Sequence, residues 1–180
     1  MTVNTKPKLI VLINRAPVLT LWAAVVAEHM GFDREAALTL GKTLAGLNAQ
    51  SKGRHLGIYK PAERVEGALK PKRKLGEEIW IGLMGRSIPA VNTAHGIRAV
   101  DKDKPIDPAS VERYLSEKFG PALEDVRHAM SALAASFKPQ ELADRAFGFY
   151  ERFRPSIPEG VRGWGAKGEL NLETIRSLAE

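Results

Sequence analysis

The stretch from Pro17 to Lys52 constrains this chain more than any other part of it. Pro17 suits the first turn of a helix, where its missing N–H would have no partner anyway. After it Val18, Leu19, Leu21, Trp22, Val25, Val26, Ala27 and Met30 recur at three- and four-residue intervals, which makes a broad apolar helical face. Gly31 stands where a residue of positive φ closes a helix. Asp33 can accept from the free N–H groups of a following helix. That helix carries Ala36, Ala37, Leu40, Leu44 and Leu47 and is expected to end between Asn48 and Ser51. A link as short as Met30-Gly31-Phe32-Asp33 makes the two helices spatial neighbours.

The spacing resembles the DNA-binding helix-turn-helix. Ala27, Gly31 and Phe32 stand at the motif's small, glycine and apolar positions, and Val26, Met30, Ala37 and Leu40 fall at its interior positions. The resemblance implies base readout by Arg34, Thr39 and Lys42. The same residues also describe a structural helical hairpin packed in a core. On that alternative Asp33 and Glu35 need not face an acidic groove, and Leu38 is buried surface.

Charge is distributed unevenly. Residues 1–74 hold 13 Lys and Arg against 5 Asp and Glu, a surplus of +8, residues 75–104 are balanced, and residues 105–180 carry −2. A basic front half is expected where one surface meets a polyanion. Lys52, Arg54 and Lys60 lie in a glycine-punctuated stretch with Tyr59, suited to backbone phosphates and base stacking. Lys70-Pro71-Lys72-Arg73-Lys74 puts four cations in five residues, and Pro71 keeps it out of a regular helix interior. The plain alternatives are a structural connector anchored by the tyrosine for the first and a solvated loop for the second.

Leu9 to Ile13 reads as a short buried strand or as an apolar lead-in to the first helix. Between Glu77 and Val100 two apolar runs flank Gly82, Gly85, Pro89, Asn92 and Gly96, a pattern for two short strands or a hairpin with a long polar turn. Ile81-Gly82-Leu83-Met84-Gly85-Arg86-Ser87-Ile88 resembles the GXXG loop of the KH RNA-binding domain, with Leu83 and Met84 in place of the polar or basic pair; the resemblance implies a backbone clamp there. Arg86, His95 and Arg98 could line a polar pocket with Asn92 and Thr93.

Behind the charged link Asp101–Lys104 the pattern is helical. Asp107 caps and Pro108 opens a helix that stops at Gly120; Pro121 and Pro139 open two more, and Asn171 caps a short last one. Arg162, Trp164 and Lys167 sit among glycines in a loop that could cradle an anion.

Together these readings predict a mainly α fold (α+β with one small β-hairpin), an N-terminal helical hairpin plus a C-terminal antiparallel helical bundle. The regions are a basic one over 1–104 and a helical one over 105–180. The four histidines are scattered, there are no cysteines, and no catalytic or dinucleotide signature occurs. No catalytic residue, metal or cofactor is therefore expected. Asn14, Arg15 and Pro17 interrupt the apolar stretch before Ala27, so the expectation is a soluble cytoplasmic protein with no membrane partner. The leading functional reading is a non-enzymatic nucleic-acid-binding protein, DNA in preference to RNA, able to form a homodimer. An interaction or oligomeric scaffold module, sharing the Leu38 and Trp22 faces between chains, is the second. A small-molecule enzyme with an anion pocket is the third.

Overall fold

The computed structural model describes residues 10–54, 78–101, 104–155 and 167–179. Its centre is α1 (Arg15–His29). Every residue from Pro17 to Ala27 is buried, so the helix is enclosed on all sides rather than along one face. Two polar groups inside that stretch are satisfied locally. The Thr20 hydroxyl donates to Ala16 O at 2.9 Å, and Trp22 Nε1 donates to Ala146 O at 2.9 Å. Trp22 also meets the rings of Phe149 and Phe153 edge-on, with centroids 6.5 and 5.3 Å away.

The turn to α2 (Arg34–Arg54) follows the sequence reading. Gly31 takes φ +112°, its N–H donates to Glu28 O, and Phe32 N–H donates to Ala27 O, the two bonds of a Schellman closure. Asp33 Oδ1 then accepts from Ala36 N at 2.8 Å. Past the turn the helices cross at contact distance. A Cβ on Gly41 would lie 2.4 Å from Thr20 O and 3.0 Å from Ala24 N, so only glycine permits this crossing. The helix also runs on to Arg54, past the Asn48–Ser51 stop read from the sequence.

The expectation of a mainly α fold is overturned: this is an α+β protein with two antiparallel sheets among the described residues. The smaller sheet pairs β1 (Ile10–Asn14) with β6 (Lys167–Asn171), in a register from Ile10 opposite Asn171 to Asn14 opposite Lys167. The larger runs in the order β2 (Glu78–Leu83), β3 (Arg86–Thr93), β4 (Gly96–Asp101), β5 (Lys104–Pro105).

The run that resembled a nucleic-acid-clamping GXXG loop is the β2–β3 hairpin. Leu83 pairs with Arg86 across a two-residue turn of Met84 (φ +50°) and Gly85 (φ +81°). Met84 holds a conformation that disfavours a side chain, yet its side chain belongs to the core, and this burial offsets the strain. A second turn, at Ala94-His95, replaces the long polar connection read from the sequence. Thr93 Oγ1 donates to Gly96 O and accepts from His95 N, with Gly96 at φ +118°.

The rear helices are α3 (Pro108–Phe119), α4 (Leu123–Ala135), α5 (Pro139–Phe153) and α6 (Leu172–Leu178). Asp107 and Asn171 cap α3 and α6 as their sequence positions suggest. Pro121 sits in a 3₁₀ turn, Gly120–Ala122, and α4 begins only after it. Arg127 holds α4 to α3 by bonding both carboxylate oxygens of Glu112, at 2.9 and 3.3 Å. One cluster of buried side chains extends from Ile13 to Ile175 and includes residues of α1, α2, the larger sheet and the rear helices.

The crossing at Gly41 yields a direct test. Gly41→Ala must move one helix off the other and is expected to lower stability by about 1–3 kcal/mol or more. Gly46→Ala, with open space around the new methyl, is expected to raise it by about 0.5–1 kcal/mol. Urea unfolding of the two variants checks this, and shifts of the same sign would contradict the close crossing.

Candidate functional site

The outer side of α2, where a reading helix would meet a groove, is occupied by the larger sheet. Thr39 is fully buried; its hydroxyl donates to Ala36 O at 2.8 Å and accepts from Ala99 N at 2.9 Å, fastening β4 to the helix. Arg98, from the same strand, donates to Glu35 Oε1 at 2.9 Å and to Ile97 O at 2.9 Å, and its side chain is 8% exposed. Thr39 is thus not free to read bases, and Glu35 neutralises Arg98 instead of facing a groove. Arg34 remains exposed, 3.5 Å from Glu28 across the turn. Lys42 places its Nζ 4.8 Å from the centre of the Tyr114 ring on α3. Burial pushes the Tyr114 phenol above its ordinary pKa.

Lys52 and Arg54 occupy the last turn of α2, and their side chains lie outside the described residues. Lys60, Lys70, Lys72, Arg73 and Lys74 lie outside them altogether, as do Arg162 and Trp164.

The polar group read between Arg86 and Arg98 is not gathered into one pocket. Arg86 begins β3 and donates to Asn48 Oδ1 at 3.2 Å. His95 lies in the exposed turn beyond the strand's other end, roughly 23 Å away at about 3.3 Å per residue. An open recess of about 410 Å³ lies between β4, β5 and the start of α3. It is lined by Asp101, Lys104, Pro105, Ile106, Asp107 and Ser110, none of them a sequence candidate. Among the described residues no group of His, Asp or Glu could hold a metal ion, and no helix is long and apolar enough to cross a membrane. Trp22 and Leu38, read as faces to share between chains, are buried within one. The exposed large apolar side chains among the described residues are Ile10, Leu12 and Trp80.

A different cationic group is brought together at the start of α1. Arg15 Nε donates to Pro155 O at 2.9 Å, which places its guanidinium against the chain leaving α5. The neighbouring Arg154 has its guanidinium carbon 6.0 Å from the ring centre of Tyr150, a residue only 2% exposed. Burial, and then the nearby Arg154, hold the Arg15 guanidinium below its ordinary pKa. Burial pushes the Tyr150 phenol up to about 12, against the opposing pull of Arg154 and Arg15. Lys167, a candidate for anion contact, is exposed at the start of β6 opposite Asn14, the residue before Arg15. No local pattern could have shown this group, because Arg15 and Pro155 are 140 positions apart.

No family model, curated protein or solved structure matches the chain.

The α2–β4 junction makes its own prediction. Glu35→Ala leaves the enclosed Arg98 guanidinium without its counter-charge and is expected to cost about 1–3 kcal/mol. Glu141→Ala removes an exposed pair whose atoms are 3.9 Å apart and is expected to cost less than about 1 kcal/mol. Equal losses in urea midpoint would mean that Glu35 does not hold Arg98.

Proposed function

We propose that the protein is a non-enzymatic nucleic-acid-binding protein, with duplex DNA as its first ligand and affinity supplied mainly by phosphate contacts. The observation that carries this reading is where the surplus charge lies. Between residues 52 and 74 there are eight Lys and Arg against two Asp and Glu, a local charge of +6. That equals the net charge of the whole chain, so the remaining residues hold 19 of each sign. Elsewhere many arginines are already paired: Arg34 with Glu28, Arg98 with Glu35, Arg127 with Glu112 and Glu124, Arg145 with Glu141, and Arg176 with Glu173. A balanced body carrying one concentrated basic segment is the charge pattern of a polyanion binder.

The contact would be made by Lys52, Arg54, Lys60, Lys70, Lys72, Arg73 and Lys74, with Arg34 and Lys42 as outlying cations. Since Thr39 is buried and the larger sheet lies against α2, the reading favours binding without base selection. A cytoplasmic setting belongs to the same proposal.

Binding to a short random duplex, measured across a salt series, tests it. The wild-type protein is expected to bind in the micromolar range at low salt. Changing Lys70, Lys72, Arg73 and Lys74 together to Ala is expected to flatten the slope of log affinity against log salt by about 2–4, at nearly one unit per phosphate contact. No binding at low salt to duplex or single strand would overturn the proposal.

A further inference from the structure

We propose that Arg15, Arg154 and the Tyr150 hydroxyl form a binding site for a phosphate-class oxyanion at the amino end of α1. The site consists of described residues alone and does not depend on the basic segment at 52–74.

Three features point to an anionic ligand. The first is unneutralised charge. Arg15 and Arg154 converge on the end of α5, and neither has a carboxylate within ion-pair reach among the described residues. The hydrogen bond to Pro155 O engages Arg15 through Nε, which leaves its two terminal nitrogens as donors. The second is Tyr150. Its ring packs edge-on to Phe153 at 6.1 Å and the residue is almost wholly enclosed, but its hydroxyl is not among the enclosed polar atoms that lack a partner, so the oxygen reaches solvent. A hydroxyl at the edge of the core, beside two guanidiniums, can donate to a ligand oxygen. The phenol stays protonated at neutral pH, since burial raises it to about 12, so it serves as a donor. The third is the helix itself. Asn14 stands at the N-cap without capping through its side chain, and the first turn of α1 holds no acidic residue. The positive end of the helix dipole is therefore not offset by its own sequence.

Two guanidiniums, a phenolic donor and a helix amino terminus suit a tetrahedral dianion better than a planar carboxylate. Arginine's fork matches two oxygens at once, and two positive charges balance two negative ones. A free phosphate and a phosphomonoester share this chemistry, and the backbone of a nucleic acid offers the same tetrahedral oxygens with a single negative charge.

The experiment uses the full chain. Thermal unfolding and titration calorimetry are run with inorganic phosphate, a phosphomonoester and a dinucleoside phosphodiester, each against sodium chloride at equal ionic strength. Inorganic phosphate is expected to raise the wild-type melting temperature above the chloride control. Arg154→Gln is expected to weaken phosphate at least tenfold. Tyr150→Phe, which keeps the packed ring and removes only the hydroxyl, is expected to weaken it several-fold. The Ala variant at Lys70, Lys72, Arg73 and Lys74 is expected to bind inorganic phosphate as the wild type does, which separates this site from the proposed nucleic-acid contact. Binding of the two small dianions without the diester would identify a small-molecule phosphate site. Equal binding of the diester would identify a second point of backbone contact. Equal melting temperatures in phosphate and chloride, or unchanged phosphate affinity in both Arg154→Gln and Tyr150→Phe, would overturn the proposal.

Discussion

Eleven consecutive helical residues out of reach of water, Pro17 to Ala27, require apolar neighbours on every side, and the fold is the arrangement that provides them. An amphipathic helix could have lain on the surface of a bundle. This one cannot, because a polar face is missing, and α2, α3, α4, α5 and β1 all lie against it. The closest neighbour is set by Gly41, which lets the α2 backbone reach the α1 backbone at Thr20 and Ala24. At that crossing the α1 surface is Thr20, Ala23, Ala24 and Ala27, all buried. Larger side chains there would separate the helices and open voids that neighbouring elements could not fill.

Polar chemistry inside such a body has to be completed locally. Thr39 does this twice over, as donor to its own helix and as acceptor from β4, and so turns a polar residue in mid-helix into the fastener of a sheet. Arg98 is enclosed at the same junction, yet its partner Glu35 keeps 64% of its side chain exposed. The carboxylate therefore gives up little hydration while neutralising the guanidinium, which limits the desolvation cost that fully buried pairs carry. The same economy leaves most of the body electrically balanced and concentrates the surplus in one stretch of chain.

What the sequence made legible follows the range of the interactions. The Gly31 closure, the Asp33, Asp107 and Asn171 caps and the stop at Gly120 are set by residues within a few positions of each other, and they stand where their residue types indicate. The small sheet was beyond that reach, because β1 finds its partner some 150 residues away in a stretch that reads locally as the end of a glycine-rich loop. The engagements of Thr39 and Arg98 lie beyond that reach for the same reason. Each has the residue type of a nucleic-acid or anion contact, but Thr39 bonds a strand 60 positions away and Arg98 a helix 63 positions away. The apolar spacing of α1 predicted one face. Full enclosure depends on how many elements pack around it, and one helix's periodicity cannot count them.

The joining of the chain's two ends also explains why Arg15 stands where it does. β1 passes into α1 with no intervening residue, so the last strand residue, Asn14, is at once the partner of Lys167 and the N-cap of the helix. Pairing with β6 therefore fixes the point at which α1 begins. Arg15, the first helical residue, must then lie against whatever borders that point, and this is the chain leaving α5 at Arg154 and Pro155. Placing two guanidiniums together is unfavourable by itself. The arrangement persists because both residues are anchored by elements whose positions are decided elsewhere: Arg15 by a β-ladder and the buried helix behind it, Arg154 by a helix whose Phe149, Tyr150 and Phe153 are set in the core around Trp22. Local repulsion is thus sustained by distant packing, the condition under which a folded protein can keep a site ready for an opposite charge.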